Sequence, residues 1–125
     1  MNPENLPITL VVGASKNPER YSYKAIHSLV ANGYPVLAFG LRNETIHNIE
    51  VKTDLQFSES IHTITMYVGP DRQSDLIPHL LKLNPKRIIF NPGTENPTFI
   101  QQAQQQGIKT ELACTLVLLS TGQYN

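Results

Sequence analysis

The chain has 125 residues, 40% of them apolar and 16% charged, which is the size and make-up of one ordinary globular domain with its own core. Its ten lysines and arginines balance ten aspartates and glutamates, so the formal net charge is zero. That balance speaks against a broad footprint for nucleic acid or an anionic membrane, and any anion must be held by local geometry.

"ITLVVG" (8–13) is β-branched, continuous and closed by glycine, the pattern of a strand buried on both faces. "SYKAIHSLVANG" (22–33) places Tyr23, Ile26, Leu29 and Val30 at helical spacing and stops at Gly33. "YPVLAFG" (34–40) is a second strand, with Pro35 at its start where no ladder donor is needed. The polar excursion that follows contains "IEVKT" (49–53), a candidate short edge strand. "HTITMYVGP" (62–70) is a further strand with a Gly-Pro stop. A helix is predicted over 72–83, with Leu76, Ile77, Leu80, Leu81 and Leu83 on its apolar face and Pro78 bending or shortening it. "KRIIFNPG" (86–93) repeats the strand-then-glycine pattern, and "NPTFIQQAQQQG" (96–107) gives a helix whose glutamines form one solvated face. "IKTELAC" (108–114) is a last short strand, and "TLVLLSTG" (115–122) fits either a helix or a strand.

Strands alternating with helices through short connections indicate βαβ units. The expectation is a single α/β domain over residues 1–125: a Rossmann-like, doubly wound, mainly parallel five-stranded sheet with helices on both faces. Apolar runs of about five residues fall far short of the ~20 that cross a bilayer. The opening "MNPENLPITL" lacks the plan of a signal peptide. A single cysteine, Cys114, excludes an internal disulfide and makes the reducing cytoplasm the expected compartment.

In doubly wound sheets ligands sit beyond the carboxyl ends of the strands, where the strand order reverses. Three loops there have unusual composition: "GASKNPERYS", "GP" with "DRQS" after it, and "NPGTENP". If their strands are neighbours, the loops converge on one crevice. Gly13 permits a sharp turn and close approach of the backbone, so main-chain NH groups just past it are expected to face an open groove. Ser15 and Ser22 offer hydroxyls or a helix cap, and Lys16 and Arg20 can reach a phosphate; equally, Ser22 can be only a cap and the two cations only solvated. The loop is neither GxGxxG nor GxxxxGK[ST], so nothing supports nucleoside triphosphate hydrolysis. After the second strand "AFGLRN" has no carboxylate before Glu44, whereas Arg42 suits a phosphorylated ribose, as in NADP or coenzyme A, or is simply surface.

"VVGASKNPERYSYKAIHSLVANGYPVLAFG", with "MYVGP", "IIFNPGTEN" and "AQQQGIKTELACTLV", resembles the stand-alone CoA-binding domain family, related to the nucleotide-binding domain of the succinyl-CoA synthetase alpha subunit. The resemblance implies coenzyme A or an acyl-CoA as cofactor, its phosphates over the first loop. Carried over by position, Gly13, Ala14 and Ser15 match the family's turn, and Arg20 and Ser22 its arginine and serine. Tyr67, Gly69 and Pro70 match the loop after the middle strand. "NPGTEN", with Asn91 and Gly93, falls where many members carry a glutamine-rich segment. "FGLRN" replaces the usual "PVNP", and Cys114 matches the family's C-terminal cysteine, although on its own terms it reads as a small buried apolar residue. His27, His47, His62 and His79 form no recognisable acid/base set. The functional expectation is therefore a non-catalytic CoA binder with no nucleic-acid or membrane partner. An NADP oxidoreductase module, a protein-interaction module that has lost its ligand, and a protein partner or homodimer remain open.

Overall fold

The computed structural model describes residues 6–125. The first five residues, half of the stretch behind the signal-peptide reading, lie outside the described residues. In chain order the elements are β1 (Thr9–Val12), α1 (Tyr21–Ala31), β2 (Val36–Phe39), β3 (Thr45–Ile46), β4 (Ile49–Lys52), β5 (Thr63–Met66), α2 (Ile77–Lys82), β6 (Arg87–Phe90), α3 (Pro97–Gln105), β7 (Lys109–Leu112) and α4 (Thr115–Ser120).

The sheet runs β3-β4-β2-β1-β5-β6-β7. Every pairing is parallel except that of β3 with β4. It therefore has seven strands, not the five expected. Beyond those five, "IEVKT" supplies β4, which pairs with β2, and the two-residue β3 folds back on it. β4 is the strand expected from "IEVKT"; β3 is unmarked in the sequence because the turn between them is His47-Asn48, both at positive φ (48° and 67°). Sequence patterns expect Asn-Gly or Asp-Gly at such a turn.

Alternation along the buried strands divides the core between two faces. Leu10, Val12, Ile64, Met66, Ile88 and Phe90 pack with Ile77 and Leu80 of α2 and Phe99 and Ala103 of α3. Val11, Val36, Ala38 and Ile89 pack on the other face with Ile26 and Leu29 of α1, Leu119 of α4 and Tyr124. The buried face of α1 is Ser22, Ala25, Ile26 and Leu29, whereas Val30, assigned to it from spacing, is 40% exposed. Pro78 stands in the first turn of α2, where its missing amide costs nothing, and α2 is shortened to six residues. The segment 115–120 is helical. Among the described residues no helix is long and apolar enough to cross a membrane.

Candidate functional site

The chain builds outward from β1 to β2 and β4, then returns to lay β5, β6 and β7 on the other side. The order thus reverses between β1 and β5, where ligands of such sheets bind. The loop after β1 (13–20) and the loop after β5 (67–72) both leave this edge, and the loop after β6 (91–96) lies beside them.

Gly13 has φ +97°, and a Cβ there would stand 2.9 Å from both the Tyr67 carbonyl oxygen and Val68 Cγ2. Glycine is thus required twice, by conformation and by the close approach of the two loops. Gly40, after β2, is packed as closely: its Cβ would come within 2.5 Å of the Ala14 oxygen.

The amides behave differently from the open groove expected. Gly13 N and Ala14 N both donate to Phe39 O at 2.9 Å. Lys16 N donates to Glu44 Oε2 at 3.2 Å, Asn17 N to Ser15 Oγ at 3.1 Å and Glu19 N to Asn17 Oδ1 at 3.0 Å. Among the described residues the Ser15 amide has no protein acceptor. α1 begins without a side-chain cap: Arg20 is its N-cap, no capping bond is made, and its first turn carries no acidic residue. The amides at Gly13 and Ala14 are therefore bonded within the protein, and the one left without a protein acceptor is that of Ser15, ahead of the uncapped start of α1.

Lys16, Arg20 and Arg42 are exposed around this edge, while Ser22 is 4% exposed, inside the first turn of α1 rather than at its cap. Ala14 is buried. Gly69 precedes a 3₁₀ turn (Pro70–Arg72), with Pro70 on the surface. The Tyr67 hydroxyl is buried beside Thr65 and Thr115, which bond each other at 2.8 Å, and it finds no partner of its own. Burial pushes its pKa up to about 12, with the two threonines pulling weakly the other way.

Asn91, expected to touch a ligand, is spent inside the protein. Its Nδ2 donates to Thr65 Oγ1 (2.7 Å) and Met66 O (2.8 Å), and its Oδ1 accepts from Thr115 N (2.9 Å). It ties the end of β5 to the end of β6 and to the start of α4. Gly93, at φ +92°, is exposed, and its amide donates to Glu95 Oε1 at 2.8 Å.

Two residues were missed in the sequence. Gln73, fully buried, donates to Val68 O and Thr94 O at 2.8 Å and accepts from Asn96 Nδ2 at 3.1 Å, binding two of the loops together. Nothing in "DRQSD" marks one polar residue as interior. Glu44 is the other. His27 Nδ1 and His47 Nε2, read as unrelated, lie 3.2 Å apart and join α1 to the β3–β4 turn. Two cavities lie elsewhere. One of about 1000 Å³ opens between β2, β4, residues 55–59 and α2, and one of about 370 Å³ at the opposite strand ends includes His62, Arg87 and Tyr124.

Comparison with known proteins decides the family. Residues 8–120 match the CoA binding domain family. The chain belongs to that family. No curated protein matches it. The fold is shared with a crystal structure of an uncharacterized protein, 33% identical over 94% of this chain and 98% of that one, at a TM-score of 0.91. A Thermus thermophilus protein is 23% identical over 97% of this chain and 92% of that one, at 0.84. A dinucleotide-forming acetyl-coenzyme A synthetase of Ca. Korarchaeum cryptofilum, determined with phosphate and ADP, aligns at 0.71 with 16% identity; this CoA-binding-family chain is covered over 82%, and that one over only 25%.

Proposed function

We propose that the protein binds coenzyme A or an acyl-CoA without transforming it, as a regulatory or presenting module. Its ligand's pyrophosphate would rest on the Ser15–Ser22 stretch, at the β1/β5 edge. The observation that carries the reading is the family match over residues 8–120, coincident with an uncapped, acid-free helix start at the point where strand order reverses. Lys16 and Arg20 supply exposed cations, and Arg42 stands on the neighbouring loop for the phosphorylated ribose. The non-catalytic half of the proposal rests on the character of the residues at the edge. They hold anions, and Tyr67, with its pKa near 12, stays a neutral phenol at physiological pH.

Thermal unfolding with CoA, dephospho-CoA, NADP and NAD at equal concentrations tests the reading. A ligand at a hundredfold excess over its Kd stabilises the native state by about 2.7 kcal/mol. CoA should give the largest rise in Tm and dephospho-CoA a smaller one. A shift with NADP but not CoA overturns the proposal, and so does consumption of an added acyl-CoA.

A further inference from the structure

Glu44 is in an unusual position for an acidic residue beside a phosphate site. Its carboxylate accepts from the Lys16 amide at 3.2 Å, 28 residues away, in the middle of the loop between β1 and α1. Its backbone is fixed from the other side, because Val51 N donates to Glu44 O at 2.7 Å and Asn43 Nδ2 donates to Val51 O at 3.0 Å. The β3–β4 hairpin is also held to α1 where the His27 and His47 rings meet, their centroids 4.9 Å apart. A rigid strap thus carries one flexible carboxylate onto the loop. Among the described residues no lysine or arginine lies within ion-pair distance of Glu44, although Arg42 is only two residues away and Lys16 offers it its amide.

A carboxylate oxygen on a main-chain amide makes the same contact as a phosphate oxygen. We infer that Glu44 is a built-in anionic occupant of the phosphate loop, which an incoming pyrophosphate must displace. This rests on the reading of the loop as the ligand's phosphate site. Displacement needs only rotation of the Glu44 side chain, since its main chain stays clamped to β4. Two anions sharing one amide would repel at close range. The carboxylate therefore sets a threshold: ligands with two adjacent phosphates and the loop cations engaged expel it, and singly charged anions do not. Binding is weaker than the loop alone would give, and more selective.

The test uses the intact protein and two variants, Glu44→Gln and Glu44→Ala, titrated with CoA and separately with inorganic pyrophosphate. Calorimetry measures affinity, and amide chemical shifts across residues 13–22 locate the ligand. Glu44→Gln keeps the shape and an acceptor but removes the charge, and should bind both ligands about tenfold tighter than the parent protein. In the free protein the Lys16 amide resonance should move in Glu44→Ala more than its neighbours do. Equal or weaker binding by both variants overturns the inference while leaving CoA binding in place. If CoA fails with all three proteins but pyrophosphate tightens on Glu44→Gln at these amides, the gate stands and the CoA reading falls. If neither ligand perturbs residues 13–22 in any of the three, both fall.

Discussion

Asn91 shows how a residue at a ligand edge can serve the edge without touching the ligand. Both hydrogens of its amide and its oxygen are committed, at 2.7–2.9 Å, to Thr65, Met66 and Thr115. With the side chain 3% exposed, no water replaces these partners. Asn91→Ala should strand a buried carbonyl and the first amide of α4 together, and each stranded group costs about 1–3 kcal/mol. The expected loss is about 2–6 kcal/mol, read as a lower urea midpoint at unchanged slope. Retention of full stability would show that the network re-forms without Asn91. The sequence placed this residue at the right edge, because "FNPG" ends a strand there. It could not tell inward from outward, since an asparagine after a strand serves equally as turn former, cap or ligand.

At the scale of elements, the loop after β1 and the start of α1 act as one unit. The loop satisfies three of its amides internally: Ser15 Oγ accepts from Asn17 N, Asn17 Oδ1 from Glu19 N and Asn17 O from Arg20 N. These local bonds stiffen the segment before α1, so the uncapped helix end is presented in one orientation. Arg20 is its N-cap residue, in extended conformation (φ −76°, ψ 142°), and its side chain is exposed. An Arg20 guanidinium reaching the ligand's phosphate makes a charge-assisted contact of about 1.5–3 kcal/mol. Arg20→Ala should weaken CoA by that amount in calorimetry, with Tm of the free protein little changed. Unaltered affinity removes Arg20 from the site. The elements themselves were largely legible, because buried parallel strands are continuous apolar runs and glycine marks their ends. The exception is β3 and the turn that joins it to β4. They hid in a polar stretch, where only Ile46 and Val51 are buried and the turn lacks glycine. Glu44, the residue that meets the loop, went with them.

Across the whole molecule, the two ends of the sheet have different chemistry. The end bearing the loops holds main-chain amides and solvated cations, while the opposite end is knitted by Arg87. Its Nε donates to Thr63 Oγ1 at 3.1 Å, its Nη1 donates to Tyr124 O at 2.7 Å, and Glu111 lies 3.6 Å away. Long-range pairings of this kind leave no mark in a sequence read alone: Arg87 appears as one more cation before an apolar strand. The same end carries a pH response. His62 stands at that end, its Nδ1 2.8 Å from Thr63 Oγ1, with Lys109 and Tyr124 lining the same cavity. Burial first, then the charges of Arg87 and Lys86, hold its pKa below the ordinary 6.5. In the unfolded chain His62 regains the ordinary value, so as pH falls through 6.5 the unfolded state takes up a proton that the native state still refuses. Stability is then complete above 6.5 and declines on acidification, until the native imidazole also protonates. His62→Gln keeps a polar partner for Thr63 and removes the titration. The difference in urea midpoint between parent and variant, followed from pH 8 to 5, should move steadily against the parent below 6.5. Carboxylates common to both proteins cancel in that difference, so a flat line would mean that neither burial nor the cations lower the His62 pKa in the native state.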